Sequence, residues 1–337
     1  MKIVFFEVEE WEEKYLQERL KGQDLTFFRD ELGEKLLTSD KVRNAEIISI
    51  FIYSKINKKI LDSFKKLKAI ATRSTGFDHI DVQECKKRRV LVSNVPFYGE
   101  NTVAEHTFAL ILALSRKIHK SYERTIRGNF SLEGLRGFDI KGKTLGIIGL
   151  GHIGQHVARI AKGFEMNVLA FDVKKDPNLA KSLDIKYATL ESLLENSDII
   201  TLHCPYNEKT HHLINKKNIK LVKKGAYIIN TARGQNIDTD ALVKALASGH
   251  LGGAALDVLE EESLIKEERQ LLSKNFPKEH LQNLIENHML LTFENVIITP
   301  HNAFNSKEAL QRILDTTIDN INCISSNKKC ENLIRIK

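Results

Sequence analysis

The stretch KTLGIIGLGHIGQHVARIAKGFEMNVLAFD, residues Lys143 to Asp172, decides the fold of the chain. Gly149, Gly151 and Gly154 form a G-x-G-x-x-G pattern between the apolar segment LGIIG and the helix-like segment QHVARIAKGF. The first glycine of such a pattern permits a tight turn, the second lets the backbone approach a pyrophosphate, and the third lets the helix pack on the strand. The pattern therefore predicts a strand–turn–helix unit that binds a dinucleotide.

An acidic residue completes this pattern. Asp172 ends the next predicted strand, NVLAF, and lies eighteen residues after Gly154. A carboxylate at this place accepts hydrogen bonds from the adenosine ribose, and its charge repels the 2′-phosphate of NADP. We therefore expect NAD as the cofactor, although Lys174 and Lys175 follow closely and leave a weaker preference open.

The rest of the chain repeats the alternation of strands and helices. A length of 337 residues suits two domains, because single cores stop growing near roughly 250–300 residues. Strand-like and helix-like segments alternate through the first hundred residues, and this order predicts parallel sheets covered by helices on both faces. The alternation begins again at Lys143 with six strand candidates, KTLGIIGLG, NVLAFD, DIITLHC, GAYIINT, GGAALDV and NVIITP.

We expect an α/β protein with two Rossmann-like, doubly wound parallel sheets and a cleft between them. A flavodoxin-like substrate domain is predicted in residues 1–100 and is completed by 302–337, where SKEALQRILDTTIDNINCISS is predicted to form a helix. An NAD-binding domain is predicted in 101–301. The stretch ENTVAEHTFALILALSRKIHKSYERTIRGNF is predicted as one long helix. Its centre is apolar on every face, so we expect it to be buried at a domain junction or a subunit interface.

Charge, hydropathy and cysteine content exclude several classes of protein. The net charge is +7, but short basic runs alternate with acidic runs, which is typical of solvated helix faces and not of a nucleic-acid surface. No apolar run approaches the about 18 residues of a membrane span, and MKIVFFEVEEW lacks the features of a signal peptide, so we expect a cytoplasmic protein. The four scattered cysteines support neither a metal site nor a disulfide framework, and we expect reduced thiols at Cys85, Cys204, Cys323 and Cys330.

Three polar residues follow late strands, where ligands bind in such sheets. Arg233 follows GAYIIN, Glu262 follows GGAALDV and His301 follows NVIIT. Arginine suits a carboxylate, histidine suits proton exchange near neutral pH, and a carboxylate beside the histidine would orient its ring. Each residue also has a structural interpretation of its own: an ion pair, a surface glutamate or a loop histidine. Together, behind a dinucleotide motif, they indicate hydride and proton transfer.

The chain resembles the D-isomer-specific 2-hydroxyacid dehydrogenases over essentially all 337 residues, and it is most similar to the D-lactate dehydrogenase branch. The resemblance is carried by ATRSTGFDHID, NVPFYGENTVAEHTFALILALSRKI, IIGLGHIGQ, INTARGQNID, ALDVLEEE and TPHNAF. It implies that His301 protonates the keto oxygen, Arg233 clamps the carboxylate and Glu262 supports the imidazolium. It also implies a homodimer joined partly through VAEHTFALILALS.

Further contacts are implied by the same resemblance. In the first domain, Thr75 and Gly76 would offer backbone N–H groups to the substrate carboxylate, and Tyr98 and Phe304 would close the pocket. The implied cofactor contacts, besides the glycines, are His152, Ile153, Asp172, Cys204, Pro205, Thr210, Thr231, Ala232 and Asp257.

The predicted reaction is the NAD-dependent interconversion of a small 2-oxo acid and its D-2-hydroxy acid. The favoured pair is pyruvate and D-lactate. Reduction of hydroxypyruvate or glyoxylate stays open, and an NAD-sensing corepressor is the alternative from another class. Between Glu262 and His301 lie 38 residues, where compact members of the family have a shorter loop. The longer segment favours the lactate branch, and the sequence does not define the wall of the substrate pocket.

Overall fold

The computed structural model of the chain describes residues 1–260, 278–326 and 328–334. The chain divides into two compact units, Met1–Tyr98 with Ser306–Lys337, and Gly99–Asn305. Each unit holds a parallel β-sheet with hydrophobic clusters packed around it. Two α/β units with parallel sheets are the fold class that the sequence predicts.

In the described residues, the first unit has a five-stranded parallel sheet in the order β2-β1-β3-β4-β5. This order is that of flavodoxin-like folds. The edge strand β2 is not among the predicted strands, because DLTF is short and half polar. The elements, numbered along the whole chain, are β1 (Lys2–Phe5), α1 (Glu10–Arg19), β2 (Asp24–Phe27), α2 (Asp40–Arg43), β3 (Ile47–Ile50), α3 (Lys58–Asp62), β4 (Ala69–Thr72), α4 (Val82–Lys87), β5 (Leu91–Ser93) and α12 (Lys307–Ser325).

The core of this unit follows from its apolar strands. Strands buried on both faces, such as Ile47–Ile50, are continuous runs rich in β-branched residues. Helix α12 carries Leu314, Ile318 and Ile321 at three- and four-residue spacing and buries them in one cluster with Phe5 of β1. Each such side chain contributes about 1.5–3 kcal/mol through its burial. The last helix of the chain therefore belongs to the first sheet.

The cysteine prediction is wrong for one pair. Cys323 and Cys330 form a disulfide, whereas Cys85 and Cys204 are free thiols. The chain turns back after α12, where the N–H of Lys328 donates to the carbonyl of Cys323 at 3.0 Å. This turn brings the two Cα atoms within 5.6 Å, inside the range of disulfides. The seven-residue separation is not the C-x-x-C spacing of a metal or redox motif, and the pair was therefore not predicted.

The second unit has, in its described residues, a seven-stranded parallel sheet in the order β12-β11-β10-β9-β6-β7-β8. Its first strand is central, with β7 on one side and β9 on the other, so the chain reverses direction beside β6, where such sheets bind nucleotides. All six predicted strands are present, and β8 is added at the edge. The elements are α5 (Glu100–Arg116), α6 (Ile118–Ile126), β6 (Thr144–Ile148), α7 (His152–Gly163), β7 (Asn167–Phe171), α8 (Pro177–Leu183), β8 (Lys186–Tyr187), α9 (Leu190–Asn196), β9 (Ile199–Leu202), β10 (Tyr227–Asn230), α10 (Thr239–Ala247), β11 (Gly253–Leu256), α11 (Lys278–Thr292) and β12 (Val296–Ile298).

The long helix of the sequence prediction is divided into two. Lys117, with φ of 52°, ends α5 in the left-handed region, and α6 begins at the next residue. The N–H of Phe138 donates to the carbonyl of Ser115 at 2.9 Å, and a side chain at Gly137 would lie 2.1 Å from that oxygen. A returning segment thus takes the place of the next helical turn. The apolar centre of α5 packs within the second unit, in a cluster with residues of β6 and α7.

Within the described ranges, no helix combines the length and the apolar character that a membrane span requires.

Candidate active site

The three glycines of the motif have different surroundings in the second unit. Gly149 has φ of 95°, and a Cβ there would lie 2.8 Å from the backbone nitrogen of Cys204. A Cβ at Gly154 would lie 2.2 Å from the carbonyl oxygen of Gly149, so the helix packs directly on the turn. Around Gly151, the N-cap residue of α7, a Cβ would meet nothing within 4 Å. The turn is therefore tight where it packs and open at the helix N-terminus, which is what a pyrophosphate requires.

Asp172 lies beside this turn, directly after β7. Its Oδ2 accepts a hydrogen bond from the N–H of Leu150 at 2.7 Å, and its Oδ1 accepts one from the N–H of Lys174 at 2.8 Å. A carboxylate has about four acceptor positions, so ribose hydroxyls can bind in addition. The carboxylate of Asp172 is thus fixed at the edge of the glycine turn. His152 and Ile153 begin α7 next to it.

The loop after β9 forms the opposite side of the turn. The N–H of His203 donates to the carbonyl of Ile148 at 2.8 Å, which ties this loop to the end of β6. Burial raises the pKa of the Cys204 thiol to about 11, and the charge of Asp172 adds to the effect. The Thr210 hydroxyl donates to the carbonyl of Pro205 at 2.7 Å. Cys204, Pro205 and Thr210 therefore belong to one hydrogen-bonded loop.

His203 itself is a neutral histidine. Its Nε2 lies 2.9 Å from the Thr201 hydroxyl, and burial lowers its pKa to about 3. Its Nδ1 is also buried. The ring therefore stays uncharged at physiological pH and places no cation beside the glycine turn.

Three neighbouring strands carry the candidate catalytic residues. Strands β10, β11 and β12 run parallel, with Asn230 paired with Leu256 and Leu256 paired with Ile298. Arg233 and His301 follow the first and last of these strand ends, and Asp257 directly follows the middle one. Because carboxyl ends of parallel strands share one edge of the sheet, the three residues lie along the same edge.

A buried asparagine side chain fixes the backbone of the turn that carries Arg233. Asn230 is buried; its Oδ1 accepts the N–H of Ala232 at 3.0 Å and its Nδ2 donates to the carbonyl of Arg233 at 2.9 Å. Nη1 of Arg233 donates to the carbonyl of Ala232 at 2.8 Å. The Thr231 hydroxyl lies 3.1 Å from that of Thr107 on α5. The guanidinium thus stands on a turn with a fixed backbone.

The loop that carries His301 is held by Asp257, which is 1% exposed. Oδ1 of Asp257 accepts the Thr299 hydroxyl at 2.5 Å and the N–H of Asn302 at 3.0 Å, and Oδ2 accepts the N–H of Ala303 at 2.9 Å. His301 has φ of 54°, a conformation that costs a non-glycine residue about 1–3 kcal/mol. The carboxylate therefore holds both sides of a strained histidine.

A second histidine, His106, lies beside Asp257 and Thr299. Nε2 of His106, on α5, lies 3.5 Å from Oδ1 of Asp257 and 3.3 Å from the Thr299 hydroxyl. Sequence reasoning missed His106, Asn230 and Thr299 as supporting residues. Of these, only Asn230 could have been predicted from the sequence, because a polar residue at the end of a buried strand must find hydrogen-bond partners.

The segment after β11 is packed against the arginine turn. A Cβ at Gly234 would lie 2.1 Å from the carbonyl carbon of Leu259. The buried Glu260 accepts the Thr239 hydroxyl at 2.9 Å, and its Oε1 lies 2.9 Å from Nε2 of His212. Glu260 therefore has a structural role: it joins the segment after β11 to Thr239 and His212. Glu262, the predicted catalytic acid, lies outside the described residues.

The predicted substrate residues are divided between the two units. Thr75, Gly76 and Tyr98 belong to the first unit, and Phe304 belongs to the second. The Thr75 hydroxyl donates to the carbonyl of Val95 at 2.8 Å, which fixes the loop that presents the backbone of Thr75 and Gly76.

The chain is similar to known proteins in both sequence and structure. Residues 108–303 match the family described as D-isomer specific 2-hydroxyacid dehydrogenase, NAD binding domain. A 2-hydroxyacid dehydrogenase homolog of Zymomonas mobilis is 38% identical over 91% of this chain and 91% of its own. The D-lactate dehydrogenase of Escherichia coli is 36% identical over 98% of this chain and 99% of its own. The crystal structure of D-lactate dehydrogenase from Aquifex aeolicus, complexed with NAD and lactic acid, covers 96% of each chain with a TM-score of 0.87 and 37% identity.

The chain therefore belongs to the D-isomer specific 2-hydroxyacid dehydrogenase family, close to its D-lactate dehydrogenases. It is an NAD-dependent oxidoreductase of that family, and NAD is its cofactor.

Proposed function

We propose that the enzyme interconverts pyruvate and D-lactate. NADH, when bound, supplies the hydride for reduction. His301 donates the proton that the keto oxygen requires, and Arg233 holds the substrate carboxylate with a forked pair of hydrogen bonds while it polarises the carbonyl. Glu262 orients the His301 ring in this scheme.

One observation carries the proposal: the arginine turn and the histidine loop are each fixed by a buried side chain at the same edge of one sheet. Asn230 holds the backbone around Arg233, and Asp257 holds the backbone around His301. Positioning of this kind supports catalysis because a misplacement of about 1 Å costs roughly a hundredfold in rate.

The proposed cofactor contacts extend along the same edge. The glycine turn, with His152 and Ile153, binds the pyrophosphate at the N-terminus of α7, and Asp172 binds the ribose. The remaining proposed contacts are Cys204, Pro205 and Thr210 beside the adenosine, and Thr231, Ala232 and Asp257 towards the nicotinamide. The open space at Gly151 supports the proposed binding of the pyrophosphate at the N-terminus of α7.

The proposed substrate contacts favour a small 2-oxo acid. Backbone N–H groups of Thr75 and Gly76 bind the carboxylate, because glycine permits the close approach of backbone to ligand. Tyr98 and Phe304 give the pocket an apolar wall that suits the methyl group of pyruvate. Hydroxypyruvate and glyoxylate, which carry a hydroxyl or no methyl group, are the competing substrates.

A panel assay tests the proposal. The enzyme is supplied with NADH and, in turn, with pyruvate, hydroxypyruvate and glyoxylate, and kcat/KM is measured for each. We expect the highest value for pyruvate, with D-lactate as the product on a chiral column. A higher value for glyoxylate or hydroxypyruvate would assign the enzyme to that reductase activity, and L-lactate as product would contradict the proposed D-specificity.

A homodimer belongs to the same proposal, and we propose that its contact surface includes α6, which directly follows the expected segment of α5. Most apolar residues at the centre of α5 are buried within their own unit, whereas an apolar face of α6 is exposed: Ile118, Tyr122 and Ile126, at four-residue spacing, are 57%, 66% and 63% exposed. Phe130 and Leu132, in the segment after α6, are exposed as well. Light scattering should give twice the chain mass for the wild type and a single chain mass for Tyr122→Glu. A monomeric wild type would contradict the dimer.

A further inference from the structure

In the first unit, hydrogen bonds between asparagine side chains lead to the loop of Thr75 and Gly76, the proposed substrate loop. Nδ2 of Asn332 donates to Oδ1 of Asn320 at 3.0 Å, and Nδ2 of Asn320 donates to the carbonyl of Asn94 at 2.9 Å. Nδ2 of Asn94 in turn donates to the carbonyl of Thr75 at 2.8 Å. Asn320, at the centre of the network, is 3% exposed, whereas the hydrogen bond from Asn94 to Thr75 lies at the surface. The position of the C-terminal segment is thereby linked to the backbone at Thr75.

The disulfide joins the same two segments as the first of these hydrogen bonds. Cys323 lies on the last turn of α12, three residues after Asn320, and Cys330 lies two residues before Asn332. Both cysteines are half-buried, with sulfur atoms near the surface turn at Lys328. The covalent bond therefore holds Asn332 opposite Asn320.

The C-terminal segment also covers the free edge of the first sheet. Leu333 forms an antiparallel bridge with Ser93 of β5, and the N–H of Ile334 donates to the carbonyl of Val92 at 2.8 Å. The N–H of Asn94 donates to the carbonyl of Asn332 at 3.2 Å. Asn94 is thus held by the C-terminal segment through its backbone and by α12 through its carbonyl, while its side chain holds Thr75.

We propose that Cys323 and Cys330 form a redox-responsive clasp that sets the substrate loop at Thr75 and Gly76. The proposal rests on the proposed function of that loop, binding of the substrate carboxylate. Formation of the clasp is a thiol–disulfide exchange: a low-molecular-weight disulfide such as oxidised glutathione takes two electrons from the two thiols, the S–S bond forms, and two molecules of the small thiol leave with the two protons.

Reduction opens the clasp without removing any substrate contact. The segment 328–334 then keeps only non-covalent contacts: its backbone pairing to β5, its packing and the hydrogen bond from Asn332 to Asn320, which the disulfide no longer reinforces. The carbonyl of Thr75 loses part of its support, and the N–H groups at 75 and 76 are held less rigidly. Since those N–H groups bind the oxo acid and not the cofactor, the KM for the oxo acid rises and the KM for NADH does not.

The test compares the full-length enzyme in oxidised glutathione and in dithiothreitol. We expect a several-fold higher KM for pyruvate in the reduced enzyme, with the KM for NADH unchanged. We also expect faster hydrogen exchange in the peptide that contains Thr75 and Gly76. Cys323→Ser and, independently, Cys330→Ser should show the reduced behaviour in both buffers, and both variants retain Cys85 and Cys204 as controls for other thiols.

Three results would overturn the clasp: free thiols at both positions in oxidised glutathione by mass spectrometry, equal KM and exchange in the two wild-type forms, or an effect of the reductant that persists in both serine variants. Absence of activity with every 2-oxo acid would overturn the proposed function instead. In that case hydrogen exchange at Thr75 still decides whether the clasp controls the loop.

Discussion

Asp257 accepts a hydrogen bond from the backbone N–H of Asn302, 3.0 Å from its Oδ1, so a buried carboxylate at the end of β11 holds the residue that follows His301. The same carboxylate accepts the N–H of Ala303 and the hydroxyl of Thr299. Three donors from one loop converge on one side chain. The placement of the proposed acid–base residue therefore depends on Asp257 as well as on the histidine loop itself.

Asp257→Asn should lower kcat by roughly a hundredfold, because an amide cannot accept from three donors and the loop shifts. Steady-state kinetics with saturating NADH measures the effect. Asp198→Asn is the matched control, since Asp198 also accepts a backbone N–H, that of Thr144, but at the amino ends of the strands. Equal kcat values in the two variants would show that the Asp257 contacts do not support catalysis.

Arg233→Lys should reduce kcat/KM for pyruvate at least roughly tenfold, because one point charge cannot reproduce two parallel charge-assisted hydrogen bonds, each worth about 1.5–3 kcal/mol. The KM for NADH should change little. Arg159→Lys, an exposed arginine on α7, serves as the control. Normal kinetics in Arg233→Lys would remove the carboxylate clamp from the mechanism.

Asp172→Ala should lower the ratio of kcat/KM for NADH to that for NADPH by roughly ten- to hundredfold, as expected for the loss of charged hydrogen bonds worth about 1.5–3 kcal/mol. The ratio is the informative quantity, because the variant also removes the acceptor of the Leu150 N–H and so weakens binding of both cofactors. Glu195→Ala, an exposed residue on α9, controls for the loss of charge. An unchanged ratio would contradict the assignment of Asp172 to the ribose.

His203 gives a prediction for stability against pH. Its pKa is lowered from 6.5 to about 3 in the folded protein by burial, so below about pH 6.5 the unfolded chain takes up a proton that the folded chain does not. Its contribution to the free energy of unfolding therefore falls with falling pH, at most by about 1.4 kcal/mol per pH unit. Urea unfolding between pH 6.5 and 5 should show a shallower pH dependence for His203→Gln. The same slope in both proteins would mean that the ring is protonated in the folded state.

The apolar and glycine patterns predicted most of the architecture. The six strands of the second sheet were predictable because each is a short apolar run bounded by turn residues, and the glycine motif marked where the first of them ends. Strands β2 and β8 were not, because DLTF and KY are short, partly polar edge segments with few side chains to bury. Edge strands form mainly through backbone pairing, which leaves little trace in side-chain pattern.

Contacts between distant residues account for what the sequence could not reveal. The break at Lys117 depends on Phe138 reaching the end of α5, and the disulfide depends on a turn after α12. Asp257 was predicted as a cofactor contact, and the sequence did not reveal that its carboxylate also holds the histidine loop more than forty residues later. In each case the partner is fixed by the tertiary fold and not by neighbouring residues.

The central claim is tested most directly by NADH consumption after addition of pyruvate, measured for the wild type and for His301→Gln at saturating NADH. The proposed role of His301 predicts rapid consumption by the wild type and a rate roughly 10²–10⁴-fold lower in the variant, with NADH binding retained in both. His288→Gln, on α11, should match the wild type. Equal rates for the wild type and His301→Gln, or no consumption by the wild type, would contradict the account.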